Sequence, residues 1–147
     1  MMKSFVIALG AMLLTAASAM AQPAPRNYDK ESVTLVQEFQ IAPGKFNTFM
    51  QDYATNQRAS FEIGKKVGGI LGYGVSQPIT RRPGEPNLYL IITFKDLASY
   101  DRSFERADQT AIAVYGSLEK AAAAGAKRSE YATLISSRLL QNLKIVN

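Results

Sequence analysis

The chain has 147 residues, a net charge of +5 from 17 Lys and Arg against 12 Asp and Glu, and neither cysteine, histidine nor tryptophan. Without cysteine there can be no disulfide, thiolate metal site or lipid-modified cysteine; without histidine there is no Ser-His-Asp triad, imidazole base or proximal haem ligand. The basic residues are scattered pairs, Lys65-Lys66, Arg81-Arg82 and Lys127-Arg128, not a basic face interleaved with aromatics, so nucleic acid is not an expected partner.

Residues 1–21 have the pattern of a secretory signal peptide. Lys3 supplies the positive flank, Phe5 to Leu14 the apolar run, and Ala19-Met20-Ala21 the small side chains at a cleavage site after Ala21. The run is shorter than the ~20 residues that span a bilayer, so no stable membrane insertion is expected after cleavage. The short signal looks Gram-negative, and the expected location is the periplasm or the medium. Residues 22–31, with Pro23 and Pro25 and no apolar period, read as a flexible leader. The remainder, 32–147, has the size of one domain.

From Ser32 the residues alternate. Val33, Leu35, Phe39 and Ile41 share one face and Thr34, Val36, Glu38 and Gln40 the other, which predicts a strand. Ala42-Pro43-Gly44-Lys45 ends it and starts a helix, where Phe46, Phe49, Met50 and Tyr53 recur on one face and Gly68-Gly69 is the stop. Ile70 to Gln77 predicts a second strand, with Leu71, Tyr73 and Val75 alternating with Gly72 and Gly74 and leaving one face nearly bare. A proline-rich loop, Pro78 to Pro86, carries Arg81 and Arg82 to a third strand, Leu88 to Phe94, which is apolar on both faces. Asp96 is placed to cap a helix with a buried stripe of Leu97, Tyr100, Phe104 and Ala107. A further helical stretch through Val114, Leu118 and the alanine run should end at Gly125. Tyr131 to Leu140 fits either a strand or a helix.

The order β-α-β-β-α-β is the ferredoxin-like plan, an α+β fold with an antiparallel sheet and helices on one face. The other face would carry Tyr89, Ile91 and Thr93, or else Leu88, Leu90, Ile92 and Phe94, and either set is too apolar to leave in water. A second copy of the same sheet is the simplest cover, so a homodimer is expected.

The stretches VTLVQEFQIAPGKFNTFMQDY and LYLIITFKDLASYD resemble the dimeric α/β-barrel superfamily, which includes antibiotic-biosynthesis monooxygenase-like, EthD-like, NIPSNAP-like and stress-responsive barrel proteins. The resemblance implies two ferredoxin-like subunits with their sheets facing. It also includes histidine-dependent branches, the haem peroxidase-like and chlorite-decomposing ones, from which this chain departs for want of histidine. No cofactor or metal is expected: there is no phosphate loop, zinc motif or EF-hand spacing.

The groups left for chemistry are carboxylates, tyrosines, lysines and arginines. Glu38, a charge in mid-strand, is either a lumen-facing acid or base or a wet or ion-paired residue. Arg138 is a tempting partner, but equal-ended antiparallel pairing would set Glu38 opposite Leu134 or Ile135, so no pair is inferred. Tyr73 and Tyr89 are ligand-lining candidates that would also serve as packing. Arg81 and Arg82 could hold an anion or simply occupy a solvated turn. Two functions follow. One is a non-catalytic exported dimer that binds a small apolar molecule or acts as an interaction module. The other is a cofactor-independent oxygenase or isomerase-like enzyme using a barrel cavity.

Overall fold

The computed structural model describes residues 26–101 and 104–146. The expected signal peptide, its cleavage site after Ala21 and the start of the leader lie outside them. The elements are β1 (Tyr28–Ile41), α1 (Phe46–Asp52), a π-helical turn (Tyr53–Gln57), α2 (Arg58–Lys66), β2 (Ile70–Ser76), β3 (Leu88–Phe94), α3 (Leu97–Tyr100), α4 (Phe104–Tyr115), α5 (Leu118–Ser129) and β4 (Ala132–Ile145). The four strands form one sheet in the order β2-β3-β1-β4 with every neighbour antiparallel. This is the ferredoxin-like β-α-β-β-α-β arrangement, its second helical unit broken into three pieces.

The alternation in β1 and β3 decides which way the sheet faces. Val33, Leu35 and Ile41 of β1 and Leu88, Leu90, Ile92 and Phe94 of β3 are buried beneath the helices, with Phe49 and Tyr53 above them. The opposite face of β3 is therefore Tyr89, Ile91 and Thr93. Burying each large apolar side chain is worth about 1.5–3 kcal/mol, so this layer dominates the stability of the subunit.

α1, the π turn and α2 make one continuous helical path. Phe61 lies eight residues after Tyr53, which in an uninterrupted α-helix would place it about 80° out of phase. The wider π turn takes up that excess, so that Tyr53 and Phe61 meet with ring centroids 6.3 Å apart and Phe61 reaches Tyr73 on β2 at 5.1 Å. Gly68 stops the helix at φ +72°, with Gly68 N–H donating to the Lys65 carbonyl and Gly69 N–H to that of Gly64. These are the two bonds of a Schellman cap.

Several sequence expectations need correction. The strand begins at Tyr28, inside the expected leader, because Tyr28 to Lys30 pair with Leu143 to Ile145 of β4. Leu71 does not alternate inward with Tyr73 and Val75: the pairing with β3 slips between Ile70 and Gly72, and Leu71 is exposed. Asp96 does cap α3, accepting from the backbone N–H and hydroxyl of Ser99 at 2.7 Å each. However, α3 lasts a single turn, so no continuous stripe forms: Leu97 and Ala107 are exposed, and Tyr100 only edges onto Phe94. The next break is at Gly116, whose φ of +85° ends α4, while Gly125 lies inside α5. Ser117 caps α5 by accepting from Lys120 N–H. The C-terminal segment is a strand, and it runs on to Ile145.

Candidate functional site

The sheet face turned away from the helices is built in rows across the four strands. Gly72, Thr93, Thr34 and Leu140 form one row, Gly74, Ile91, Val36 and Arg138 the next, and Ser76, Tyr89, Glu38 and Ser136 a third. Gln40 extends the face beyond Glu38. A Cβ added to Gly72 or Gly74 would meet nothing within 4 Å. The glycines therefore leave the edge strand β2 bare on this face, beside Ile91 and Tyr89 of β3. At the far end Asn142 donates to the hydroxyls of Ser32 and Thr34 at 2.8 Å, and the hydroxyls of Thr34 and Thr93 are 3.3 Å apart. The face is thus not the apolar sheet that β3 alone suggested: Val36 and Ile91 sit at its centre within a frame of hydroxyls and charges.

Glu38 and Tyr89 are direct neighbours in register on this face. The Glu38 carboxylate accepts from the Arg138 guanidinium, and its side chain is only 12% exposed against 61% for Arg138. A bulge in β4 creates this pairing. Pairing shifts between Glu38 and Phe39, so Ser136 stands opposite Glu38 and Arg138, one row along, reaches back diagonally. Spacing along an uninterrupted ladder could not reveal that contact, because nothing in the local sequence announces the extra residue.

Tyr73 is on the other side of the sheet and does not join Glu38 and Tyr89. It packs on Phe61, donates its hydroxyl to Glu62 and lies beneath Lys65, whose ammonium is 5.7 Å from the ring centroid. The hydrogen bond to Glu62 holds the Tyr73 phenol above its ordinary range and the Glu62 carboxyl below its own. Of the three ligand-lining candidates, two share a site and the third stabilises the helix layer.

At the Gln40 end, the β2–β3 loop rises over the face. Arg82 N–H donates to the Glu85 carboxylate at 2.7 Å, Glu85 N–H to the Arg82 carbonyl, and Arg81 Nη1 to the Glu85 carbonyl at 3.3 Å. Asn87 then mimics a strand partner, accepting from Ile41 N–H and donating to the Ile41 carbonyl, both at 2.7 Å. The loop so fixed borders a shallow, open groove of about 550 Å³ lined by Gln40, Arg81, Arg82, Pro83, Gly84 and Ile135. A second hollow, about 480 Å³, lies on the helix side between the end of α2 and α4, lined in part by Gly69, Asp96, Ser99 and Gln109. Among the described residues no cluster of acidic side chains could hold a metal ion.

Away from both hollows, Arg128 of α5 donates to Asp52 at 2.6 Å and reaches the Tyr115 hydroxyl, while Asn56 in the π turn donates to the same carboxylate. Burial opposes ionisation of Asp52, but the bonds from Arg128 and Asn56 outweigh it and hold the carboxyl below its ordinary range. This cluster fastens the C-terminal helix to the first.

No protein-family model matches the chain, and no curated protein is similar to it. Among solved structures the fold is similar to HapK from Hahella chejuensis, with TM-score 0.52 and 11% identity over 75% of this chain and 91% of that one. It is also similar to a dimeric ferredoxin-like protein from an uncultured marine organism, with TM-score 0.50 and 12% identity over 78% and 96% of the two chains. A NIPSNAP family protein of unknown function from Agrobacterium tumefaciens matches with TM-score 0.43 and 13% identity over 78% and 89%. The chain has the ferredoxin-like α+β fold that HapK and the marine protein share with it.

Proposed function

We propose that the protein is an exported homodimer in which two sheets meet across their open faces and enclose a cavity that binds a small, mostly apolar molecule without transforming it. The bare stretch of β2 over Gly72 and Gly74 is the observation that carries this reading. Glycine weakens a strand interior, and here no neighbouring atom within the subunit requires its small size, so the vacant space itself is the feature that remains to be explained. Opposed across a two-fold axis, two such bare stretches would leave a hollow between the sheets beside Ile91, Val36 and Tyr89, with hydroxyls for orientation. Support for the dimer comes from the part-covered aliphatics of the face, from exposed Leu140 beside them on β4, and from the marine neighbour, which is described as dimeric.

A catalytic reading would rest on Glu38, but its carboxylate is occupied by Arg138, which makes it half of an ion pair instead of a free base. Export rests on residues 1–21 and their small-residue site ending at Ala21. Native mass spectrometry of protein purified from the periplasm tests all three elements together. The expected species is a dimer of chains beginning at Gln22, carrying a retained small molecule. Monomers, or dimers that never hold a ligand under native or reconstituted conditions, would refute the binding role, and a chain retaining residues 1–21 would refute processing at Ala21.

A further inference from the structure

We infer that the groove between the Arg81-Arg82 turn and the open face receives an anionic group, so that the ligand of the proposed cavity is an apolar body ending in a carboxylate or a similar anion. This rests on the cavity reading above and adds the chemical class of its occupant. The groove continues the face beyond Glu38, since Gln40, two residues on in β1, belongs to both. Two guanidiniums line it. Among the described residues the Arg82 guanidinium makes no hydrogen bond or ion pair, and that of Arg81 gives one N–H to the Glu85 carbonyl and keeps the rest of its five donors.

The neighbouring acids do not cancel this charge. The Glu85 carboxylate accepts from the Arg82 backbone N–H and pairs with neither guanidinium, so two positive charges stand against its one and a net positive charge remains at the turn, while Glu38 further down the face is already paired with Arg138. The turn is also held in place before any ligand arrives: Gly84 takes φ +85°, and Asn87 clamps the loop end to Ile41 through two bonds. Guanidiniums carried on a turn held in this way suit a planar, bidentate oxyanion. From Gln40 to Val36 is four residues along β1, about 13–14 Å, so an anion held at the turn would lay an extended chain of about ten carbons over Val36 and Ile91.

The test uses the dimeric mature protein with N-phenyl-1-naphthylamine as a neutral fluorescent probe and decanoate, decanol and inorganic phosphate as competitors. Decanoate should displace the probe at least tenfold more tightly than decanol, phosphate alone should not displace it, and the double variant R81Q/R82Q should lose the preference for decanoate while binding decanol unchanged. Equal displacement by decanoate and decanol, a preference that survives R81Q/R82Q, or competition by phosphate alone would overturn the inference while leaving the cavity intact. Failure of the protein to take up the probe at all would overturn the cavity and this inference with it.

Discussion

Replacing Gly74 by valine separates the two roles that a strand glycine can have. The position lies mid-strand in β2, opposite Ile91, with an ordinary negative φ, and an added Cβ meets nothing within 4 Å. Within the subunit the substitution therefore adds no clash and removes the entropic cost of glycine, about 0.5–1 kcal/mol, with a further gain of similar size from the strand preference of a β-branched residue. Gly74→Val should accordingly raise the urea midpoint by an amount equivalent to about 1–2 kcal/mol. In the proposed dimer, however, two new isopropyl groups stand in the central row of the cavity beside Ile91 and Val36. Uptake of a neutral apolar probe should fall at least tenfold, with the dimer retained. Unchanged probe affinity would refute the bare stretch of β2 as a binding surface. Destabilisation by more than about 1 kcal/mol, or loss of the dimer, would mean that the space above Gly74 is already filled, by this subunit or by its partner.

Ile91→Glu puts a carboxylate at the centre of the interface twice per dimer; at about 2 kcal/mol for each unsatisfied charge, dissociation should strengthen roughly a thousandfold, read by sedimentation, while circular dichroism shows the monomer still folded. Tyr89→Phe should weaken ligand retention and Tyr73→Phe should leave it unchanged, because the sheet separates Tyr73 from the open face; direct titration distinguishes them. Asp52→Asn should cost about 1.5–3 kcal/mol at neutral pH through the lost charge-assisted bonds to Arg128. Since the folded carboxyl titrates below its unfolded value of about 3.9, that contribution is complete above this pH and disappears as pH falls through the folded value. Urea midpoints of the two proteins should therefore converge towards pH 2.

The elements with strong periods were legible in the sequence. β1 and β3 alternate so cleanly that both faces could be assigned residue by residue in β1, and Phe46, Phe49, Met50 and Tyr53 marked the helix that covers them. What escaped were rephasing events, each of which depends on a single residue. The π turn at Tyr53–Gln57, the slip beside Leu71 and the bulge beside Leu134 each displace everything after them, and none has a composition that sets it apart. For that reason the Glu38–Arg138 pair and the turning of Tyr73 away from the face were out of reach, and because β3 is apolar on both faces the sequence also left open whether Tyr89 shares a face with Glu38. A glycine misled in the helices: Gly125 was expected as the stop, whereas the left-handed φ falls at Gly116. β4 was ambiguous because its leucines satisfy both periods, and its pairing along nearly the whole length of β1 decides for a strand.

Light scattering on the mature protein, followed through a dilution series at micromolar concentration, tests the face-to-face dimer most directly when the unaltered chain is run beside Ile91→Glu. The account predicts the mass of two subunits for the unaltered protein and of one folded subunit for the variant. A soluble monomer of the unaltered protein throughout, or a dimer indifferent to a charge at Ile91, would contradict it.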